Sequence, residues 1–243
     1  MKANLNTIII ASAVIISAYF LSNAFRSRNR ASNAISVTGL GSKDFVSDLI
    51  VWSGTFSKNE MNLKDAYAAL DHDREKIRKY LTDKGINPSQ VVFSAVTIEK
   101  LFNEVFDDSG NKKMSEFAGY NLKQEVQVES KEVDKVEGIS REITELINSG
   151  VEFYSNQPQY FYTKLSELKI QMIAEATKDA KIRADKIAEN AGSDIGSLKK
   201  AEMGVFQIVG QNSTEDYSWG GTFNTSSKRK TASITVKLDY NTH

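Results

Sequence analysis

The sequence contains no cysteine and only two histidines, His72 and the C-terminal His243. Without thiols there is no disulfide, no thiolate nucleophile, no thiolate zinc site and no iron–sulfur cluster. A histidine-based metal cage or a Ser-His-Asp triad would have to be built on one of those two imidazoles. Excess positive charge is missing too: 31 Lys and Arg balance 31 Asp and Glu, so little stands ready to displace counterions from a nucleic acid. These shortages argue against an enzyme. No catalytic, cofactor-binding or metal-binding residue is assigned, no cofactor is expected, nucleic acid is not expected as a partner, and no small-molecule substrate is identified. What is present is ordinary for a globular chain, 40% hydrophobic and 26% charged, with enough length for one large domain or two small ones.

Residues Ala3 to Phe25 carry no charge, and the dense part runs from Ile8 to Leu21. Lys2 precedes this stretch, and Arg26, Arg28 and Arg30 follow it. About 20 apolar residues at 1.5 Å per residue would cross a hydrocarbon core of about 30 Å. Residues 1–25 are therefore read as an uncleaved anchor in contact with the lipid bilayer. The rival is a signal peptide cut after Ser22-Asn23-Ala24, a small-x-small site. The following arginines lean toward a cytoplasmic C-terminal part, and they would also hinder export. Residues 26–34 read as a basic linker.

Beyond it, strands are expected at 35–40 and 48–57, where β-formers cluster. A helix over 63–84 has Asn62 as N-cap, a stripe of Leu63, Ala66, Tyr67, Leu70, Ile77, Tyr80 and Leu81, and Gly85 as its end. A long strand at 91–106 turns through 107–113 into a returning strand at 119–129. A second helix covers 133–149, followed by an aromatic strand at 151–162 that Pro158 breaks or places at an edge. A third helix, 165–191, carries Ile173, Ala176, Ala180, Ala184, Ile187, Ala188 and Ala191 on one face. Strands at 199–209 and 230–240 close the chain. The order helix, glycine, strand, polar loop, strand occurs twice, with Gly85 matching Gly192 and Val128 matching Val236. The expected fold class is α+β: a mostly antiparallel sheet with three helices packed on it, an internal structural duplication, and an N-terminal transmembrane helix in front.

These segments resemble the SIMPL-domain family. Ile35-Ser36-Val37-Thr38-Gly39-Leu40-Gly41 resembles its opening strand with the V-T-G-x-G signature. Lys84-Gly85-Ile86, followed by the strand from Val91, resembles its helix exit. Phe117-Ala118-Gly119-Tyr120 before Val126-Gln127-Val128 resembles its hairpin return. Ala176 through Ala180, Ala184, Ala188 and Gly192 resembles its alanine-repeat helix, and Thr235-Val236-Lys237-Leu238 its closing strand. Ser47-Asp48 lacks the proline that many relatives carry, and Glu99-Lys100-Leu101-Phe102 replaces a proline-containing motif. The resemblance covers roughly residues 35–241, and 35–243 is read as one domain. It implies a non-enzymatic cell-envelope protein, self-assembling as a homo-oligomer, with a part in oxidative-stress defence. On that basis the protein is expected at the inner membrane as a single-pass protein with its domain in the periplasm. The alternative is a membrane-anchored adaptor facing the cytoplasm, motivated by the arginines after the apolar run.

Four features invite chemistry. His72, flanked by Asp71 and Asp73, could serve a metal or act as a base, but it sits about 200° from Leu70 around the helix, so a solvated face is preferred. A hydrolase using paired carboxylates would need this histidine. Asp107-Asp108-Ser109-Gly110-Asn111 fails as a calcium loop, since Lys112 stands where glycine is required and Ala118 where a carboxylate is required. Gly39-Leu40-Gly41 precedes a strand, which is the wrong context for a phosphate loop. The segment 210–230 embeds Tyr217, Trp219 and Phe223. It is read as a flexible hairpin tip, with a contact loop for glycans or a neighbouring subunit as the other reading.

Overall fold

The computed structural model describes residues 3–30, 34–106, 110 and 112–242, and within the first helix it describes the side chains of Ile9–Ala24 alone. The turn residues Asp107, Asp108, Ser109 and Asn111, together with His243, lie outside the described residues. The elements are α1 (Ala3–Arg30), β1 (Ala34–Val46), β2 (Leu49–Glu60), α2 (Leu63–Asp83), β3 (Val91–Phe93), β4 (Thr97–Phe106), β5 (Lys112–Ser130), α3 (Val133–Glu142), β6 (Phe153–Ser155), β7 (Gln159–Phe161), α4 (Leu165–Asn190), β8 (Ile195–Met203), β9 (Gln207–Gly210) and β10 (Arg229–Thr242). The class is α+β, with four α-helices and ten strands in antiparallel sheets among the described residues.

The expectation of three helices behind a transmembrane helix is corrected. The N-terminal segment is a helix of 28 residues, but among the described residues no helix is long and apolar enough to cross a membrane. An uncharged stretch is not the same as an apolar one. Asn4, Asn6 and Thr7 stand before the dense run, Ser22 and Asn23 after it, and Ser12 and Ser17 inside it. The run Ile8 to Leu21 is about 14 residues, or about 21 Å of helix, against about 30 Å of hydrocarbon.

The chain divides into two compact units. One comprises the chain up to Lys43, Leu168–Phe206 and the chain from Ser233; the other comprises Asp44–Glu167 and Gln207–Ala232. The strand orders of the two sheets, β1-β10-β8 and β3-β5-β2-β6, share a pattern. In each, a strand, a helix and two further strands follow in the chain, and the last strand lies between the other two.

In the first unit α4 lays Leu168, Met172, Ala176, Ala180, Ala184 and Ala188 against the sheet, all buried. Opposite them Ile234, Val236, Leu238 and Tyr240 of β10 point inward and Thr235 and Lys237 point out, the period-two alternation of a half-solvated strand. The small alanine faces let the helix approach β1 at its glycines. A Cβ built on Gly39 would lie 2.1 Å from the Ala176 carbonyl oxygen, and one on Gly41 would lie 2.3 Å from that of Met172. The glycines of the opening strand are therefore a seat for α4, and no anion site forms there. Leu40 N donates to Asp179 Oδ2 at 2.9 Å, and this bond with the Arg183 guanidinium holds the Asp179 carboxyl below its ordinary value.

In the second unit α2 and α3 cover one face of β2 and β5. Ile50, Trp52 and Phe56 of β2 meet Leu122, Val126 and Val128 of β5, while Ala66, Leu70, Ile77, Leu81, Val136 and Ile139 come from the helices. Asn62 caps α2, its Oδ1 accepting from Lys64 N at 2.8 Å. The strand expected over 91–106 is two strands. Ser94 exchanges bonds with Glu125 through both backbone and side chain, and its carbonyl accepts from Gln124 Nε2 at 2.7 Å. Such local bonding diverts the backbone from a regular ladder. Pro158 separates β6 from β7 in the same way that it divides the aromatic strand in the sequence.

Candidate functional site

The most unusual surface is built by β4 and the first half of β5. β2 runs beside β5 only as far as the Glu60–Tyr120 pair. Beyond it, among the described residues, β5 has one neighbour, β4, paired from Thr97–Lys123 out to Phe106–Lys112. A two-stranded ribbon therefore extends past the three-stranded part of the sheet. Opposite residues of an antiparallel pair share a face, so Ile98 lies with Leu122, Lys100 with Tyr120 and Phe102 with Phe117. Leu122 is fully buried in the core. The face that packs under α2 thus continues outward, uncovered among the described residues: Ile98, Phe102, Phe106 and Phe117 are 53%, 54%, 55% and 41% exposed. Phe117 bridges Phe102 and Tyr120 through edge-on ring contacts at 5.9 and 5.1 Å.

A bulge fixes this geometry. The register shifts between Leu101 and Phe102, so Ala118 is unpaired between Phe117 and Gly119. Gly119 has φ of +118°, and a Cβ there would lie 2.7 Å from the Glu60 carbonyl oxygen. Only glycine suits that backbone and that contact.

The segment from Gly210 to Lys230 carries a set of internal hydrogen bonds. Asn224 Oδ1 accepts from Ser227 N at 2.8 Å, Gln207 Nε2 donates to the Ser218 carbonyl at 2.7 Å, and Glu215 accepts from Gly210 N at 3.0 Å and from Asn224. These bonds tie the segment to itself and to β9. Trp219 is nevertheless 99% exposed and Phe223 about half exposed.

Phe223 also marks a residue that the sequence reading missed. Lys230 is buried, donates from Nζ to the Tyr160 carbonyl at 2.5 Å, and lies 5.8 Å from the Phe223 ring centre. Burial pushes its ammonium down to about 8, against the opposing pull of Glu215. The signal was available. The inward alternation Ile234, Val236, Leu238 extended backward along β10 reaches Ala232 and then Lys230.

Nearby, a cleft of about 470 Å³ is lined by Glu137, Ser140, Arg141, Ser155, Asn156 and Tyr160 among others. Its charges are mutually engaged. Lys228 donates to Glu137 at 2.9 Å and to Asp134, which holds the Glu137 carboxyl low and the lysine high. Burial and the Glu137 charge push the Tyr160 phenol up.

His72 is exposed on α2, and its neighbours turn elsewhere. Asp71 pairs with Arg74. Asp73 is buried, with Lys58 Nζ at 2.9 Å and Lys76 Nζ at 3.6 Å from its two oxygens. The histidine and its flanking carboxylates therefore do not converge. Among the described residues no group of three or more acidic or histidine side chains could hold a metal ion.

Comparison with known families gives a match of residues 35–240 to the SIMPL family, described as proteins of unknown function (DUF541). The chain belongs to the SIMPL family. No curated protein matches it. In this SIMPL chain the Val37-Thr38-Gly39-Leu40-Gly41 segment is the seat of α4, and Phe117-Ala118-Gly119-Tyr120 is the bulge at the root of the ribbon. Both are structural roles. The SIMPL ribbon beyond that bulge is what remains without a structural role of its own.

Proposed function

We propose that this SIMPL protein works by contact rather than catalysis, as a self-assembling protein of the cell envelope. The observation that carries this reading is the uncovered stripe Ile98, Phe102, Phe106 and Phe117 on a two-stranded ribbon. Isolated two-stranded ribbons are marginal in water, and exposed apolar patches mark contact surfaces. The engaged charges of the cleft and the separation of His72 from its carboxylates give no support to a hydrolase.

Export rests on the N-terminal residues. The run Ile8 to Leu21 follows Lys2, precedes Ser22-Asn23-Ala24, and has the length of a secretory core of about 7–15 residues. The described side chains of α1, from Ile9 to Ala24, are all exposed, so the fold makes no use of them. The segment meets the bilayer as an export signal, and the domain acts in the periplasm, with a part in stress defence.

Native mass by light scattering of the gently extracted protein tests assembly. Whole multiples of 27.1 kDa, or of the processed chain, are expected. A strict monomer at every concentration overturns the reading. Reporter fusions at the C-terminus test location. Activity outside the cytoplasm is expected, and activity confined to the cytoplasm would favour the adaptor suggested by Arg26, Arg28 and Arg30.

A further inference from the structure

We infer that the ribbon pairs with a second copy of this chain edge to edge through β4, around a twofold axis that places Phe102 opposite its own copy. This rests on the assembly reading above and assigns its surface, symmetry and register.

β4 is the edge strand. Among the described residues its only partner is β5, and its other side carries ten residues of unpaired backbone. A long, exposed edge of this kind is a template for another strand unless it is short, bulged away, covered or guarded by charged side chains; β4 carries Glu99, Lys100 and Glu104, so only a partner that pairs those charges is admitted. The register shifts twice, at Ala118 and at Lys113, and both extra residues lie on β5, so the β4 edge itself is uninterrupted.

The sequence of β4 selects the occupant. Along the core-side face run Ile98, Lys100, Phe102, Glu104 and Phe106, that is, apolar, positive, apolar, negative, apolar. Reversed, as an antiparallel twofold requires, the pattern is its own complement. Phe102 meets Phe102 of the second copy, Lys100 meets Glu104 of the second copy twice over, and Ile98 meets Phe106 of the second copy twice over. On the opposite face Leu101 falls opposite Asn103 of the second copy, and Glu99 opposite Val105 of the second copy, with no like charges opposed. Moving the axis by one residue, onto Leu101, sets Ile98 against Glu104 and loses both charge pairs. Isologous contacts of this kind close on themselves and so make discrete dimers rather than fibres.

The chain's own contacts leave these groups available. Lys100 faces Tyr120 across the ribbon, and Glu104 faces Ser115. Glu104 also reaches Lys112 at 2.5 Å, but both are about half exposed, and such a pair contributes little. The continuous sheet β5-β4-β4-β5 would carry Ile98, Phe102, Phe106 and Phe117 of both copies on one face, a four-stranded surface in place of two marginal ribbons.

Charge exchange is the test. K100E or E104K alone opposes like charges at two symmetric places, and each should raise the protein concentration needed for half-assembly by about tenfold. The double variant K100E/E104K restores both pairs and should return assembly to the original concentration. Because the chain has no cysteine, F102C reports alone. Opposed residues lie about 4.5–5.5 Å apart at Cα, within the about 4.4–6.8 Å that a disulfide spans, so oxidation should link two chains. A mixture of I98C and F106C, which keeps Phe102, should link unlike chains only. If single reversals leave assembly unchanged and neither thiol set links while the native mass remains a multiple, this pairing is wrong and assembly through another surface stands. A strict monomer overturns both, including one whose ribbon instead binds lipid vesicles or a different protein.

Discussion

Gly39 of β1 and Ala176 of α4 stand so close that a methyl group on the glycine would fall 2.1 Å from the alanine carbonyl oxygen and 2.4 Å from Ala180 N. Both obstacles are helix backbone, which cannot swing aside as a side chain can. G39A should therefore destabilise the chain by about 3 kcal/mol, at the upper end of overpacking costs. Urea unfolding reads this as a lowered midpoint at unchanged slope. A midpoint within error of the parent would mean that α4 does not seat on β1 as described.

Lys230 sets a pH dependence. Its folded value, about 8, lies below the ordinary lysine value of 10.5. Between those values the unfolded chain binds the proton and the folded chain does not, so stability rises as pH climbs from about 8 toward 10.5. K230M removes the buried ammonium and should flatten that rise while raising stability at neutral pH, as apolar replacement of buried charge often does. Thermal midpoints of both proteins across this range are the check. A slope that survives K230M assigns it to another group.

Asp73 is 2% exposed and is held by Lys58 at 2.9 Å. Removing Lys58 leaves the buried carboxylate with the longer Lys76 contact, at 3.6 Å. K58M should cost about 3 kcal/mol, far more than loss of a surface pair. A double-mutant cycle with D73N should show strong coupling; additive losses would show that the contact contributes nothing of its own.

The two tryptophans sit at opposite extremes, Trp52 at 0% exposure and Trp219 at 99%. Trp52 also donates from Nε1 to Ser155 Oγ at 3.0 Å. Acrylamide should quench one emission component readily and the other hardly at all, and W219F should leave only the protected, blue-shifted one. A fully protected Trp219 would show that the 211–228 loop is covered, either by its own chain or by another copy.

Much of this architecture was legible in the residues because it is periodic. The alanine face of α4, the alternation of β10 and the Asn62 cap each depend on local spacing, and local spacing is what a sequence displays. What escaped depended on partners far along the chain. Ser94 breaks a strand by bonding to Glu125, and the loop after Gly210 is ordered by Asn224 and Glu215 rather than by apolar burial. Lys230 looked like the polar start of a strand, and its burial comes from Tyr160, some 70 residues away. The N-terminal run differs for a simpler reason: it is uncharged over its whole length, but Asn and Ser shorten the apolar part. The ribbon's hairpin could be read in outline. That its core-side face goes uncovered could not, because the reach of β2 beside it depends on the pairing of Glu60 with Tyr120.

Amide hydrogen exchange across Thr97–Phe106 measures directly whether a second copy covers the β4 edge. Half of the β4 amides point toward β5 and are protected in a single chain; the alternate half points outward. The prediction is that the outward amides become protected as protein concentration rises, in step with native mass. Outward amides that exchange freely at every concentration, while the mass stays above one chain, would contradict it.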